Sequence, residues 1–331
     1  VDRLLGPYEL QWREFLPHLL EYAVYTGFLH RSGRTVYEQI LFRLERKSRR
    51  VTYHDMAGDT IVTRSALEVR ADILAAVGAL RALGIRPGDR VGMVGLNSTR
   101  YLTLDVAIGL LGAVSVPLYY TSPPAEVGAI LQSSEARLLL VGAPRLLEHL
   151  GDLCAQRRAG LPIVSFCQGP VPEGLAFPVI PWNEFLALGA GRSAGPTGTA
   201  TAPVGMDDLA TLRYTSGTTG EPKGVMFQHA QLRWLAECTA SLLPWKTRNR
   251  AVSWLSCLPM NHVVEGILAT YSPYYVPAAV DITFLEDIHD LSRALPQTRP
   301  TVFFSVPRVY ERIWEAFAGS GPGRFYLGLQ R

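Results

Sequence analysis

From Val51 onward, short apolar runs alternate with longer stretches whose apolar positions recur every three or four residues. Side chains alternate across a strand and return to one face of a helix about every 3.6 residues, so these patterns predict strands and helices in turn. Leu67, Ile73, Leu74, Val77, Leu80 and Leu83 mark the apolar face of one helix. Ser65 and Glu68 open it as a capping box, and Gly84 closes it. Residues 91–94, 113–118, 137–141 and 162–166 predict strands. The helices between them begin near Asn97-Ser98, Ser122-Pro123-Pro124 and Leu146. Apolar strands alternating with amphipathic helices predict an α/β fold with largely parallel, twisted sheets covered by helices.

Upstream, residues 8–46 read as helical, with a break at Ser32-Gly33, and residues 51–53 and 60–62 read as strands around Gly58. Residues 187–205, rich in Ala, Gly, Thr and Pro, predict a linker. Beyond it the pattern predicts strand 209–214, helix 228–243 and strand 252–258. A helix after Asn261, interrupted by Pro273 and Pro277, comes next. Helix 284–295, strand 301–305 and helix 307–317 complete the series. The expected organisation is a helical extension over 1–50, a first α/β lobe over 51–200, and a second, incomplete lobe over 201–331.

Composition narrows the class. With 48% hydrophobic and 18% charged residues, the chain carries enough apolar surface for a large core. A net charge of +3 argues against nucleic acid as the main partner. The basic run over 43–50 reads as a solvated helix end, with a membrane surface or an acidic partner as the alternative. Cys154, Cys167, Cys238 and Cys257 lack metal-ligand spacing and read as reduced core residues, which predicts a cytoplasmic setting. The start shows no signal-peptide pattern. The longest apolar runs, 106–118 and 266–280, are too short to span a bilayer, and peripheral membrane contact stays open.

The chemistry concentrates in Tyr214-Thr-Ser-Gly-Thr-Thr-Gly-Glu-Pro-Lys-Gly-Val225. Glycines allow sharp turns, exposed N–H groups form an anion-binding nest, hydroxyls donate further, and Lys223 adds a mobile charge. These are the parts of a polyphosphate cradle. The spacing is not that of a Walker loop, because no Ser or Thr follows Lys223. The string resembles the phosphate-binding signature of the AMP-forming adenylate synthetases. The blocks over 89–98 and 109–118 resemble early core segments of the same superfamily. The segment over 258–266, with His262, is similar to the family block that lies beside the acyl carboxylate. Residues 299–313, above all Val306-Pro-Arg-Val-Tyr-Glu-Arg-Ile313, resemble the long-chain fatty acyl-CoA synthetase branch. The charges in that last segment also read simply as i,i+3 helix pairs, Arg308 with Glu311 and Arg312 with Glu315.

The resemblance implies that a carboxylate attacks the α-phosphate of ATP, releasing pyrophosphate, and that a thiol then displaces AMP. Thr215, Ser216, Gly217, Thr218, Thr219, Gly220 and Lys223 would hold the phosphates, with Thr215 and Lys223 as catalytic groups. His262 would line the substrate pocket. ATP and Mg²⁺ are implied, with fatty acid and coenzyme A as the other partners. The magnesium-linked Tyr-Gly-x-Thr-Glu motif, the ribose-binding aspartate and the mobile C-terminal domain with its lysine are not in this sequence. The expectation is therefore an N-terminal part of a longer ligase, inactive alone. Three readings stay open: a long-chain fatty acyl-CoA synthetase, another adenylate-former (a fatty acyl-AMP ligase or an aryl or amino acid activator), and a non-catalytic binding module. Trp234, Trp254, Tyr271, Tyr274 and Tyr275 read as core residues, with an acyl tunnel as the alternative. His229 reads as a helix-start residue without chemistry.

Overall fold

The computed structural model describes residues 33–46, 50–156, 161–190, 204–215, 222–242 and 251–322. Helix α1 (Val36–Leu44) opens on a Thr35–Glu38 capping box, which satisfies backbone donors at its first turn. The hairpin of β1 (Val51–Ala57) and β2 (Thr60–Ser65) turns at Gly58, whose φ of +55° lies in the left-handed region. Then follow α2 (Ala66–Ala82), β3 (Arg90–Val94), α3 (Thr99–Leu111), β4 (Val114–Leu118), α4 (Pro124–Ser133), β5 (Leu138–Val141), α5 (Pro144–Gln156) and β6 (Ile163–Ser165). After α6 (Trp182–Gly189) come β7 (Leu209–Thr215), β8 (Lys223–Gln228), α7 (His229–Leu242) and β9 (Val252–Ser256). A π-helical turn (Val264–Ala269) and a short 3₁₀ turn (Ser272–Tyr275) precede β10 (Val280–Leu285). A second 3₁₀ turn (Ile288–Asp290), α8 (Leu291–Thr298), β11 (Val302–Phe303) and α9 (Pro307–Gly319) follow.

Two sheets result, in the orders β6-β5-β3-β4-β7-β8 and β11-β9-β10-β1-β2. Each is parallel except for one antiparallel edge strand, β8 on β7 and β2 on β1. This is the expected α/β class. The sheets, however, do not follow the two halves of the chain. β1 pairs with β10, more than two hundred residues later, and so draws β2 into the sheet of β9–β11, whereas β7 and β8 join the sheet built by β3–β6. A division near residue 200 therefore does not coincide with the division between the sheets.

Three elements escape the hydrophobic pattern. β8 is an edge strand with mostly exposed side chains, so burial imposes no alternation on it. β10 is buried almost throughout and continues an apolar run, so its period is hidden in the sequence. α6 falls mostly in residues assigned to no element, and only its last turn reaches into the stretch read as linker. The basic run also differs from expectation: Arg43 is buried and its Nη2 donates to the Ala278 carbonyl at 2.8 Å.

Helix α3 is buried along its length from Tyr101 to Leu111, so it is apolar all round rather than amphipathic. Its core cluster also contains residues of α1, α2, β1, β3, β5, β9 and β10, which joins both sheets through one interior. Gly109 on α3 has no room for a side chain, because the Tyr37 ring of α1 occupies that space. Among the described residues no helix is long and apolar enough to cross a membrane.

Candidate active site

In parallel sheets the segments after the strands' C-terminal ends converge on one edge, where ligands bind in open α/β folds. Here the strands' C-terminal ends carry Asn97 after β3, Tyr120 after β4 and Thr215 at the end of β7 in one sheet, and His262 after β9 and Glu286 after β10 in the other. A cleft of about 680 Å³ opens beside β3, β4 and β10, lined by Leu96, Tyr120, Arg145, Glu286, Asp287 and His289 with their neighbours, and none of Thr215, Lys223 and His262 lines it. Glu286 is raised above the ordinary carboxylate range, chiefly by burial and less by Asp55 and Asp287, while Arg145 opposes the shift. Three lining carboxylates, Glu286, Asp287 and Asp290, face one arginine, a poor setting for a polyphosphate.

The glycine-rich string belongs to a hairpin instead. Thr215 and Lys223 are register partners at the mouth of β7 and β8, and both are exposed. The Thr215 hydroxyl makes a long 3.5 Å contact to the Lys223 carbonyl. Tyr214 is tied to Ser133 of α4 by a 2.7 Å hydroxyl pair. Ser216, Gly217, Thr218, Thr219 and Gly220 lie outside the described residues. β8 separates the string from α7 in the chain, so the string does not run directly into a helix N-terminus.

Segment 256–266 is built differently. Asn97, which sequence reasoning read with Ser98 as a helix cap, leaves that task to Ser98, whose Oγ accepts from the Tyr101 N–H at 3.2 Å. Asn97 Nδ2 instead donates to Ser256 Oγ at 3.2 Å and to the Leu258 carbonyl at 2.7 Å. From β7, Arg213 donates to the carbonyls of Met260 (3.1 Å), Asn261 (2.8 Å) and Gly266 (2.9 Å). A Cβ at Gly266 would collide with the Met260 carbonyl and the Arg213 guanidinium. Glu265 is buried, with Oε2 accepting from the Leu258 N–H at 3.2 Å and Oε1 without a partner among the described residues. Burial pushes its carboxyl up to about 7, against the opposing hydrogen bonds from Ser256, Leu258 and Cys257.

His262 is half-buried. Its Nδ1 accepts from the Val264 N–H at 3.3 Å, so in the neutral ring Nε2 carries the proton and is the donor it can present. The structure thus places Thr215 at the end of β7, Lys223 at the start of β8 and His262 after β9 of the other sheet, with Arg213 bonding from β7 to the His262 segment. Sequence reasoning missed Arg213 and Asn97. A charged residue inside the apolar strand 209–214 was the available signal.

The aromatic candidates are mainly core residues. Trp254, Tyr271, Tyr274 and Tyr275 are buried, and Trp234 is 65% exposed. Tyr271 donates to Asp105 at 2.7 Å, and the hydroxyls of Tyr53 and Tyr274 meet at 2.8 Å. None of the five lines the cleft. His229 begins α7, buried against Tyr37. Burial pushes its ring down to about 4, and neither nitrogen has a partner among the described residues. Arg308 pairs with Glu311 at 3.0 Å on the exposed α9, and Arg308 rather than Arg312 approaches Glu315, at 3.9 Å. Cys167 and Cys257 are buried free thiols, and Cys238 is partly exposed.

Comparison with known proteins agrees with this geometry. The family model described as AMP-binding enzyme matches residues 42–325. The chain is 30% identical over 272 residues to the long-chain-fatty-acid–CoA ligase FadD15 of Mycobacterium bovis, covering 81% of this chain and 43% of that protein. It is 32% identical over 266 residues to a feruloyl-CoA synthase of Amycolatopsis, covering 77% of this chain and 46% of that one. The chain thus spans less than half the length of these curated relatives. Among solved structures, the adenylation domain of a carboxylate reductase from Mycobacterium chelonae superimposes with a TM-score of 0.68 at 23% identity, covering 94% of this chain and 54% of that one. The glycine-rich hairpin, the two parallel sheets and the family match over most of the sequence lead to one assignment: this chain belongs to the AMP-binding enzyme family, the adenylate-forming enzymes.

Proposed function

We propose that this protein is an AMP-forming acid–thiol ligase that activates a long-chain fatty acid with ATP and transfers the acyl group to coenzyme A. The carboxylate oxygen attacks the α-phosphorus, the bond to the β-phosphate oxygen breaks, and pyrophosphate leaves. The thiol sulfur then attacks the acyl carbon and AMP departs. The first step brings two anions together, so catalysis rests on charge stabilisation and positioning rather than on a protein nucleophile. Thr215, Ser216, Gly217, Thr218, Thr219, Gly220 and Lys223 hold the β- and γ-phosphates, and Lys223 and Thr215 stabilise the leaving pyrophosphate. His262 presents Nε2–H beside the carboxylate. The Mg²⁺ expected from the resemblance has no ligand group among the described residues, which include no cluster of three or more His, Cys, Asp and Glu able to hold a metal.

The observation that carries this reading is the hairpin pairing of Thr215 with Lys223 at the C-terminal edge, on the strand whose Arg213 reaches the His262 segment. The Val306–Ile313 motif and the likeness to FadD15 support a long-chain acid. The equally similar feruloyl-CoA synthase supports a second reading, an aryl acid activator. Carboxylate-dependent ATP–pyrophosphate exchange on the intact protein tests both, with long-chain, aryl and amino acids as the panel. The long-chain acid should drive the fastest exchange. Fastest exchange with an aryl or amino acid overturns the branch, and no exchange with any acid overturns adenylation.

A further inference from the structure

We propose that Arg213 is a positioning residue that holds the His262 segment in register with the end of β7 at Thr215. The proposal rests on the adenylation reading for its kinetic meaning, but its geometry stands independently. Arg213 is only 6% exposed. A buried guanidinium is costly unless its donors are used, and here both terminal nitrogens bond to backbone carbonyls while Nε has no partner among the described residues. These carbonyls bracket His262: Met260 and Asn261 precede it, and Gly266 follows it. Asp105 on α3 is the buried acid that Arg213 acts on: burial raises its carboxyl, while Tyr271 and the Arg213 charge oppose the shift.

The strand carries this grip to the phosphate side. Arg213 and Thr215 are two residues apart on β7, so they lie on the same face of the sheet, about 7 Å apart along the strand. The planar fork is what makes the bridge: its two ends engage carbonyls on both flanks of His262 at once. A lysine offers one ammonium centre and cannot reproduce that span. Gly266 completes the arrangement, since the space a side chain would need there is filled by the guanidinium and the Met260 carbonyl. Arg213 thereby ties β7, which ends at Thr215, to the segment around His262.

The test uses the intact protein with Arg213→Met and Arg213→Lys. Exchange kinetics are read as separate KM values for acid and ATP, and hydrogen–deuterium exchange is read over 209–215 and 258–266. In R213M the acid KM should rise about tenfold while the ATP KM stays within about twofold, with R213K intermediate. Deuterium uptake should accelerate in 258–266, where the Gly266 N–H bonds to His262 at 2.7 Å, and stay unchanged in 209–215. Unchanged kinetics and uptake would overturn the proposal. So would a parallel rise in both KM values with protection lost across β7 as well, the signature of general loosening. If R213M does not fold, R213K is judged on the same two readouts at smaller amplitude. If the wild type exchanges with no acid, adenylation fails, and the deuterium pattern alone decides the role of Arg213.

Discussion

The hairpin that carries the phosphate string and segment 256–266 lie at the C-terminal ends of strands in different sheets, β7 and β9, and are held in opposite ways. The hairpin mouth is exposed, and β8 has little buried side-chain surface. Segment 256–266 is crowded, clamped by Asn97 and Arg213, and contains a buried carboxyl. The contrast separates two requirements of a site. Groups that neutralise an incoming polyanion must be free to meet it, whereas groups that orient a second reactant gain from being fixed beforehand.

The largest effect expected from breaking this contrast is at Gly266. Gly266→Ala forces a Cβ into the Met260 carbonyl and the Arg213 guanidinium, and should destabilise the protein by about 3 kcal/mol, the upper end of the usual overpacking cost. A urea denaturation midpoint measures it. A loss below about 0.5 kcal/mol would show that the segment is not rigidly packed.

A smaller effect concerns Glu265. Its folded-state value of about 7 lies above that of an unfolded glutamate, about 4.3. The folded state therefore binds a proton more readily, and the associated stability is fully present below about pH 4.3 and lost as pH rises through about 7. Wild-type melting temperature should fall between pH 5 and pH 8 more steeply than that of Glu265→Gln, which cannot ionise. Parallel curves would place this carboxyl outside the pH response.

How much of this was legible beforehand depends on where the information resides. Consecutive strands β3–β6 and their helices follow from local periodicity, and the caps at Ser65 and Ser98 follow from single residues. The phosphate string is legible because its function needs glycines and hydroxyls in order. β10 was not, because a strand buried on both faces has no alternation to read. Nor was Arg213 legible as a bridge, because its partners lie about fifty residues on and are backbone carbonyls, which any residue supplies.

The smallest stability effect is expected on the hairpin side. Lys223 is exposed, so Lys223→Ala should change the denaturation midpoint by no more than about 0.5 kcal/mol. Pyrophosphate exchange should nonetheless fall by about a hundredfold, in line with losing a group that stabilises transition-state charge. A large stability loss with little change in exchange would invert the comparison.

The pairing of β1 with β10 has a consequence for how the chain is made. Val51 is register partner to Val280, so the first hairpin leaves the ribosome long before its neighbour exists. At 5–20 residues per second, the wait until Leu285 is roughly 10–45 s. Through that interval the nascent chain presents an unpaired strand edge, a natural point of engagement for chaperones and a vulnerable moment for aggregation.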